Sequence, residues 1–265
     1  MPDFYCKDMA SDPDDGAGLL DANLFSFMRR ELIRDISSPD LDVVVTGVPF
    51  DLATTHRPGA RLAPASIRKV SENLFWETRR WPWDFCVFDI LGVGDCGDLL
   101  FDTGDVDHMI AQLQRHACRI LDAGKTMLTF GGDHYITLPL LREHAKKFGP
   151  LSLIHFDAHA DTEKEARERH HGTMFGSAVK EGIIAPDRSV QVGIRTEYDM
   201  TPDYRFTVLD AAWVNEHRAG DISAEIKRVV GDHPAYITFD IDCLDPAFAP
   251  GTGTPVIGGL TTDMA

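Results

Sequence analysis

Apolar and polar positions along this chain follow two rhythms in turn. Short apolar runs, most of them rich in β-branched residues, recur at 42–46, 89–93, 126–130, 151–156, 190–194, 207–209 and 235–239, and each reads as a strand. Between them, apolar residues return every three or four positions. Met109, Ile110, Leu113, Ala117, Ile120 and Leu121 do so across 106–123, which predicts a helix ended by Gly124. Further helices are predicted at 64–70, with Pro64 in its favoured first turn, at 139–148, at 173–181 before Gly182, and at 221–230. Strand and helix in alternation imply a parallel sheet with helices on both faces. The expected fold class is α/β.

Residues 1–20 show little periodicity and carry Pro13-Asp14-Asp15-Gly16, so they read as an acidic N-terminal arm. No repeat, low-complexity tract or linker divides 21–265, which is expected to be one domain. A length of 265 residues with 43% hydrophobic content is enough for a large core. The net charge of -16 argues against nucleic acid and anionic membranes as partners, and leans toward a cationic substrate. Five cysteines, Cys6, Cys86, Cys96, Cys118 and Cys243, form no C-x-x-C pair, which argues against a disulfide framework and for a reducing cytoplasm. The first 18 residues lack the apolar stretch of a signal peptide, and no apolar run approaches the ~20 residues that span a bilayer.

Chemistry concentrates in three segments, each directly after a predicted strand. They are Gly131-Gly132-Asp133-His134, Asp157-Ala158-His159-Ala160-Asp161 and Asp240-Ile241-Asp242. The carboxyl ends of strands are where ligands bind in open α/β sheets. Each segment alone has a plain reading: a turn with a helix-capping Asp, or a solvated acidic loop. Their coincidence at one sheet edge favours a site. Four carboxylates and two imidazoles exceed what one catalytic zinc takes, and suit two divalent ions. His171, in His170-His171-Gly172-Thr173, is a candidate proton carrier. His155 reads as a packed strand residue facing away from Asp157. His56, His108, His116, His144, His217 and His233 default to the surface. The Gly-rich stretch 251–259 lacks the Lys of a phosphate loop and reads as close packing beside Asp242.

Together these segments, with Asp240-Ile241-Asp242-Cys243-Leu244-Asp245-Pro246, resemble the signatures of the ureohydrolases, the arginase family. Stretches 46–51, 81–84 and 249–255 resemble its agmatine-hydrolysing branch. The resemblance implies an arginase-like three-layer α/β sandwich around a central, mainly parallel sheet, and a centre of two Mn2+ ions. His134 and Asp161 would hold one ion, His159 and Asp242 the other, and Asp157 and Asp240 would bridge them. His171 and Asp161 would handle protons. The implied reaction is hydrolysis of a small cationic guanidino compound, agmatine to urea and putrescine, by a cytoplasmic homo-oligomer, a trimer or hexamer. Guanidinobutyrate is the alternative substrate, and an inactive metal-binding fragment or subunit the alternative role. Two departures stand out. Loop 162–170 is unusually charged, and the family's later strand, helices and acidic Glu segment have no counterpart before Ala265. An incomplete C-terminal side, with little turnover, is therefore expected.

Overall fold

The computed structural model describes residues 25–74, 79, 82–163, 169–196 and 204–265. The N-terminal arm, Trp81 and the charged residues 164–168 lie outside them. In chain order the elements are β1 (Val43–Val48), α1 (Ala63–Ser71), β2 (Val93–Asp98), α2 (Val106–Asp122), β3 (Thr126–Gly131), α3 (Thr137–Phe148), β4 (Ser152–Phe156), α4 (Met174–Lys180), β5 (Val190–Ile194), β6 (Thr207–Asp210), α5 (Ala211–Glu216), α6 (Ala219–Val230) and β7 (Ala235–Phe239).

Every strand pairing is parallel, in the orders β2-β1-β3 and β6-β5-β4-β7. The expected single sheet is thus two hydrogen-bonded ladders, with β3 and β7 as edges. Alternation along β4 sets the layers. Leu153 joins the core built from α2, α3 and α4 through Met109, Leu113, Leu141 and Phe175. Ile154 and Phe156, on the opposite face, pack with Val214, Ile222 and Val230 of α5 and α6. Helices therefore cover both faces, which is the layered α/β arrangement the alternation predicts.

β2 departs from expectation. The sequence places a strand at 89–93, but Val87–Asp89 is a 3-10 turn and the strand runs Val93–Asp98. Its sequence, Val-Gly-Asp-Cys-Gly-Asp, is poor in β-formers. Tertiary pairing overrides this: buried Arg68 of α1 donates to both Asp95 oxygens, at 2.8 and 2.9 Å. Its third nitrogen reaches Asp98 at 2.5 Å. Several surface assignments also need correction. His116 is half-buried against Thr46 Oγ1 at 2.8 Å, and His144 packs edge-on to Tyr236.

Candidate metal centre

Parallel pairing aligns the carboxyl ends of β4 and β7, and the end of β3, in the other ladder, meets them through His134. Just past β3 the chain passes so close to β1's exit that a Cβ at Gly132 would lie 2.0 Å from the Phe50 carbonyl oxygen. Only glycine fits there. Asp133 then caps the 3-10 turn His134–Ile136, its Oδ1 accepting from Tyr135 N at 3.0 Å and its Oδ2 from Ala53 N at 2.9 Å. The plain reading of this Asp as a cap is correct, and its effect is to aim His134. His134 Nδ1 stands 3.0 Å from Asp157 Oδ2 and from Asp161 Oδ2, and 3.5 Å from Asp240 Oδ2. This buried nitrogen has no hydrogen bond of acceptable geometry, whereas Nε2 meets Thr238 Oγ1 at 2.7 Å.

After β4, Asp157 is almost fully buried and lies between two groups of ligand-type atoms. Its Oδ2 faces His134, and its Oδ1 lies 3.2 Å from His159 Nδ1, which is also 3.1 Å from Asp242 Oδ2. Asp161 returns to the cluster only because its backbone is left-handed, φ 52°. Aspartate tolerates that conformation better than most residues, and such strain gathers at functional sites. After β7, Asp240 caps the turn Ile241–Cys243, accepting from Asp242 N at 2.9 Å. Asp242 is held in turn by Ala158 N and by Thr254 Oγ1, each at 3.0 Å.

Donors that can share a metal ion thus form two groups, His134–His155–Asp157–Asp161 and Asp157–His159–Asp242, with Asp157 common to both. Asp240 sits beside the first group. The unpartnered His134 Nδ1 and the crowded carboxylates are what a pair of divalent cations would satisfy, and oxygen with imidazole donors suits manganese-like ions. Charge balance says the same. Burial works against charge on His159, but Asp157 and Asp242 push its pKa up to about 11. His134 is likewise held well above the usual histidine range by Asp157 and Asp161, against its burial. Burial and the charge of Asp157 raise Asp161, Asp240 and Asp242. Without cations, protons neutralise the cluster.

His171 lies outside both groups. Its Nε2 accepts from Thr55 N at 3.1 Å and touches Thr55 Oγ1 at 2.6 Å. Burial, with His170, His134 and His159 nearby, lowers its pKa to about 4. His155 corrects an expectation. Residues two apart on a strand share a face, and its Nε2 is 2.8 Å from Asp157 Oδ2. It is packed, as expected, but against the site.

Several contributors escape the sequence reading. Thr238 and Gln191 are polar residues inside apolar strands, which was their only signal. Arg195 gave none. Its guanidinium binds the carbonyls of Gly193, Asp242, Cys243, Leu244, Val256 and Ile257. It ties the end of β5 to the Asp242 turn and to the Gly-rich stretch, which packs there as expected. Gly259 leaves the guanidinium room, since a Cβ there would come within 2.7 Å of Nη2.

Comparison with known proteins places this fold. The family model described as the arginase family matches residues 41–265. The agmatinase of Photorhabdus laumondii is 59% identical over 244 residues, covering 92% of this chain and 79% of that protein. The agmatinase of Escherichia coli strain SE11 is 57% identical over the same shares, 92% and 79%. A hypothetical agmatinase from Burkholderia thailandensis superposes with a TM-score of 0.86 at 55% identity, over 92% of this chain and 76% of that one. Proclavaminate amidino hydrolase from Streptomyces clavuligerus gives 0.82 at 37%, over 92% and 82%. The chain belongs to the arginase family, the ureohydrolases. Its activity class is hydrolysis of an amidino C–N bond. No described helix is long and apolar enough to cross a membrane.

Proposed function

We propose that this chain hydrolyses agmatine to urea and putrescine with two Mn2+ ions. The observation that carries the reading is Asp157, shared between two groups of ligand atoms at the sheet edge. Its relatives named agmatinase, at 57–59% identity, favour agmatine.

In this reading His134 and Asp161 would hold one ion, His159 and Asp242 the other, and Asp157 and Asp240 would serve both. Two such ions, when bound, would supply Lewis acidity and lower the pKa of a water toward neutral pH. The protein's own residues do the rest. Loss of putrescine requires a proton at the departing nitrogen. Asp161, 3.0 Å from His134 Nδ1 at the sheet edge, is the residue this reading assigns to carry that proton. Neutral His171, anchored by Thr55, exchanges it with solvent. Water adds to the guanidinium carbon, the C–N bond to the alkyl amine breaks, and urea leaves.

The same reading makes the enzyme a source of putrescine, and hence of spermidine, in the cytoplasm. The described cysteines are all free, which suits a reducing compartment. It also includes a homotrimer or hexamer, which sedimentation would test. The test of function is urea release from the manganese-loaded chain with agmatine, 4-guanidinobutyrate and arginine. Agmatine should give the highest kcat/KM. A higher value for guanidinobutyrate would overturn the substrate and keep the reaction class, and no urea from any of the three would support the inactive-fragment alternative.

A further inference from the structure

A second tier of contacts stands behind Asp157. His155 is fully buried on the same face of β4, with Nε2 2.8 Å from Asp157 Oδ2. Its Nδ1 lies 3.0 Å from Gln191 Nε2, on the neighbouring strand β5. A third contact decides which histidine nitrogen carries the proton. Gln191 Nε2 is also 2.7 Å from the Ala160 carbonyl oxygen. A carbonyl only accepts, so the amide atom facing it is the nitrogen and not the oxygen. That nitrogen has two hydrogens, one for Ala160 and one for His155. His155 Nδ1 therefore accepts, and the ring proton sits on Nε2, facing Asp157.

We infer that Gln191 and His155 form a positioning relay that fixes an N–H donor on Asp157 Oδ2, and that His155 is not itself a metal ligand. The two oxygens of Asp157 are then treated alike. Oδ1, on the His159 side, takes the backbone N–H of His159 at 2.7 Å. Oδ2, on the His134 side, takes His155. Each oxygen keeps lone-pair capacity for a cation, and the carboxylate cannot rotate without breaking one of these bonds. Ligand orientation of this kind by outer groups typically accounts for 10–100-fold in metal affinity. Proximity alone would count His155 among the ligands. The Gln191 contact argues otherwise, because the nitrogen near Asp157 is already protonated and so has no lone pair to offer an ion.

The tautomer stands independently of any metal, whereas the affinity arm rests on the two-ion reading. Long-range 1H–15N spectra of the metal-free chain should put the His155 proton on Nε2. A proton on Nδ1 would overturn the inference. For affinity, His155→Gln places an amide nitrogen where Nε2 stands, and His155→Asn places one where Nδ1 stands. Calorimetric titration with Mn2+ should show His155→Gln near wild type. His155→Asn should lose roughly 10–100-fold in one binding step and keep the other. Gln191→Glu, whose carboxylate would accept from Nδ1–H, should move the proton in the spectrum and lose the same step. It carries the test if His155→Asn melts early. Equal losses in His155→Gln and His155→Asn, or wild-type binding in His155→Asn, would overturn the relay. A wild-type protein that binds fewer than two ions would instead overturn the two-ion reading and leave the spectrum to decide the tautomer.

Discussion

His134, one residue beyond the Asp133 cap, reaches across to β7 and meets the Thr238 hydroxyl at 2.7 Å. Among the described residues the β3 and β7 ladders share no hydrogen-bonded strand pairing, so this side-chain contact links them at the site. It also leaves Nδ1 as the nitrogen facing the carboxylates. Thr238→Val keeps the shape and removes the hydroxyl. A buried Nε2 would lose its partner, at a cost of about 1–3 kcal/mol to the metal-free fold. Affinity for the ion held by His134 should fall about 10–100-fold. Thr238→Ser should restore both. Urea melts and Mn2+ titrations of the pair decide it, and an unchanged Thr238→Val would remove Thr238 from the site.

Metal binding should release protons. His159 titrates at about 11 and His134 well above its ordinary range in the metal-free protein. Both are therefore protonated at neutral pH, and both must shed the proton to offer a lone pair. Raised Asp161, Asp240 and Asp242 add to the release. The sign is that affinity rises with pH, at roughly two protons per pair of ions or more. Titrations in buffers of different ionisation enthalpy count these protons. Binding with no proton release would contradict the charge balance of the cluster.

Asp157→Asn should lose both ions rather than one, because each oxygen faces a different group of ligand atoms. Asp242→Asn, which touches only the His159 side, should lose one. Elemental analysis after dialysis against Mn2+ separates the cases. Two ions retained by Asp157→Asn would mean that Asp240 alone bridges.

His171 gives a prediction with two independent readouts. Its Nε2 accepts from the Thr55 amide, and burial lowers its pKa to about 4. A folded histidine that resists protonation destabilises the fold where the unfolded chain takes the proton up. Stability contributed at neutral pH should therefore decline as pH falls from about 6.5 toward 4. His171→Gln should flatten that limb of the stability–pH curve. His171→Ala should lower turnover by roughly 10²–10⁴ while manganese content stays, as expected for proton transfer. Loss of metal in the alanine variant would make His171 a ligand.

Much of the fold and of the cluster is legible in the sequence. Strands 190–194 and 235–239 are found at their predicted bounds because apolar, β-branched and aromatic runs mark both, although only the first is buried throughout. The six metal-type residues stand out because each of their segments follows such a strand; parallel pairing aligns the ends of β4 and β7, whereas His134 comes from the other ladder. β2 was misplaced because its strand is held by Arg68 and Asp95, a contact that no local propensity encodes. Arg195 was invisible for a related reason. Its partners are six backbone carbonyls, and those carry no residue signature. His155 needed only the period of a strand to be seen, since two residues before Asp157 means the same face.

The edges of β3 and β7 make the last prediction. Neither strand has a second ladder partner among the described residues. Both show apolar side chains to solvent: Leu128 is 38% exposed, Phe239 45% and Ile237 67%. An edge with unpaired N–H and C=O groups and apolar side chains is a template for pairing with another chain. Ile237 lies on the face of β7 opposite Thr238, so a charge there should spare the metal cluster. The 265-residue chain should therefore associate as its concentration rises, and Ile237→Lys should reduce that association with Mn2+ binding unchanged. Sedimentation velocity over a wide concentration range reads the first, and calorimetry the second. A wild-type chain that sediments as one species at every concentration would show that these edges are protected in solution. If Ile237→Lys lost metal as well, the edge and the site would be coupled through the contact between Thr238 and His134.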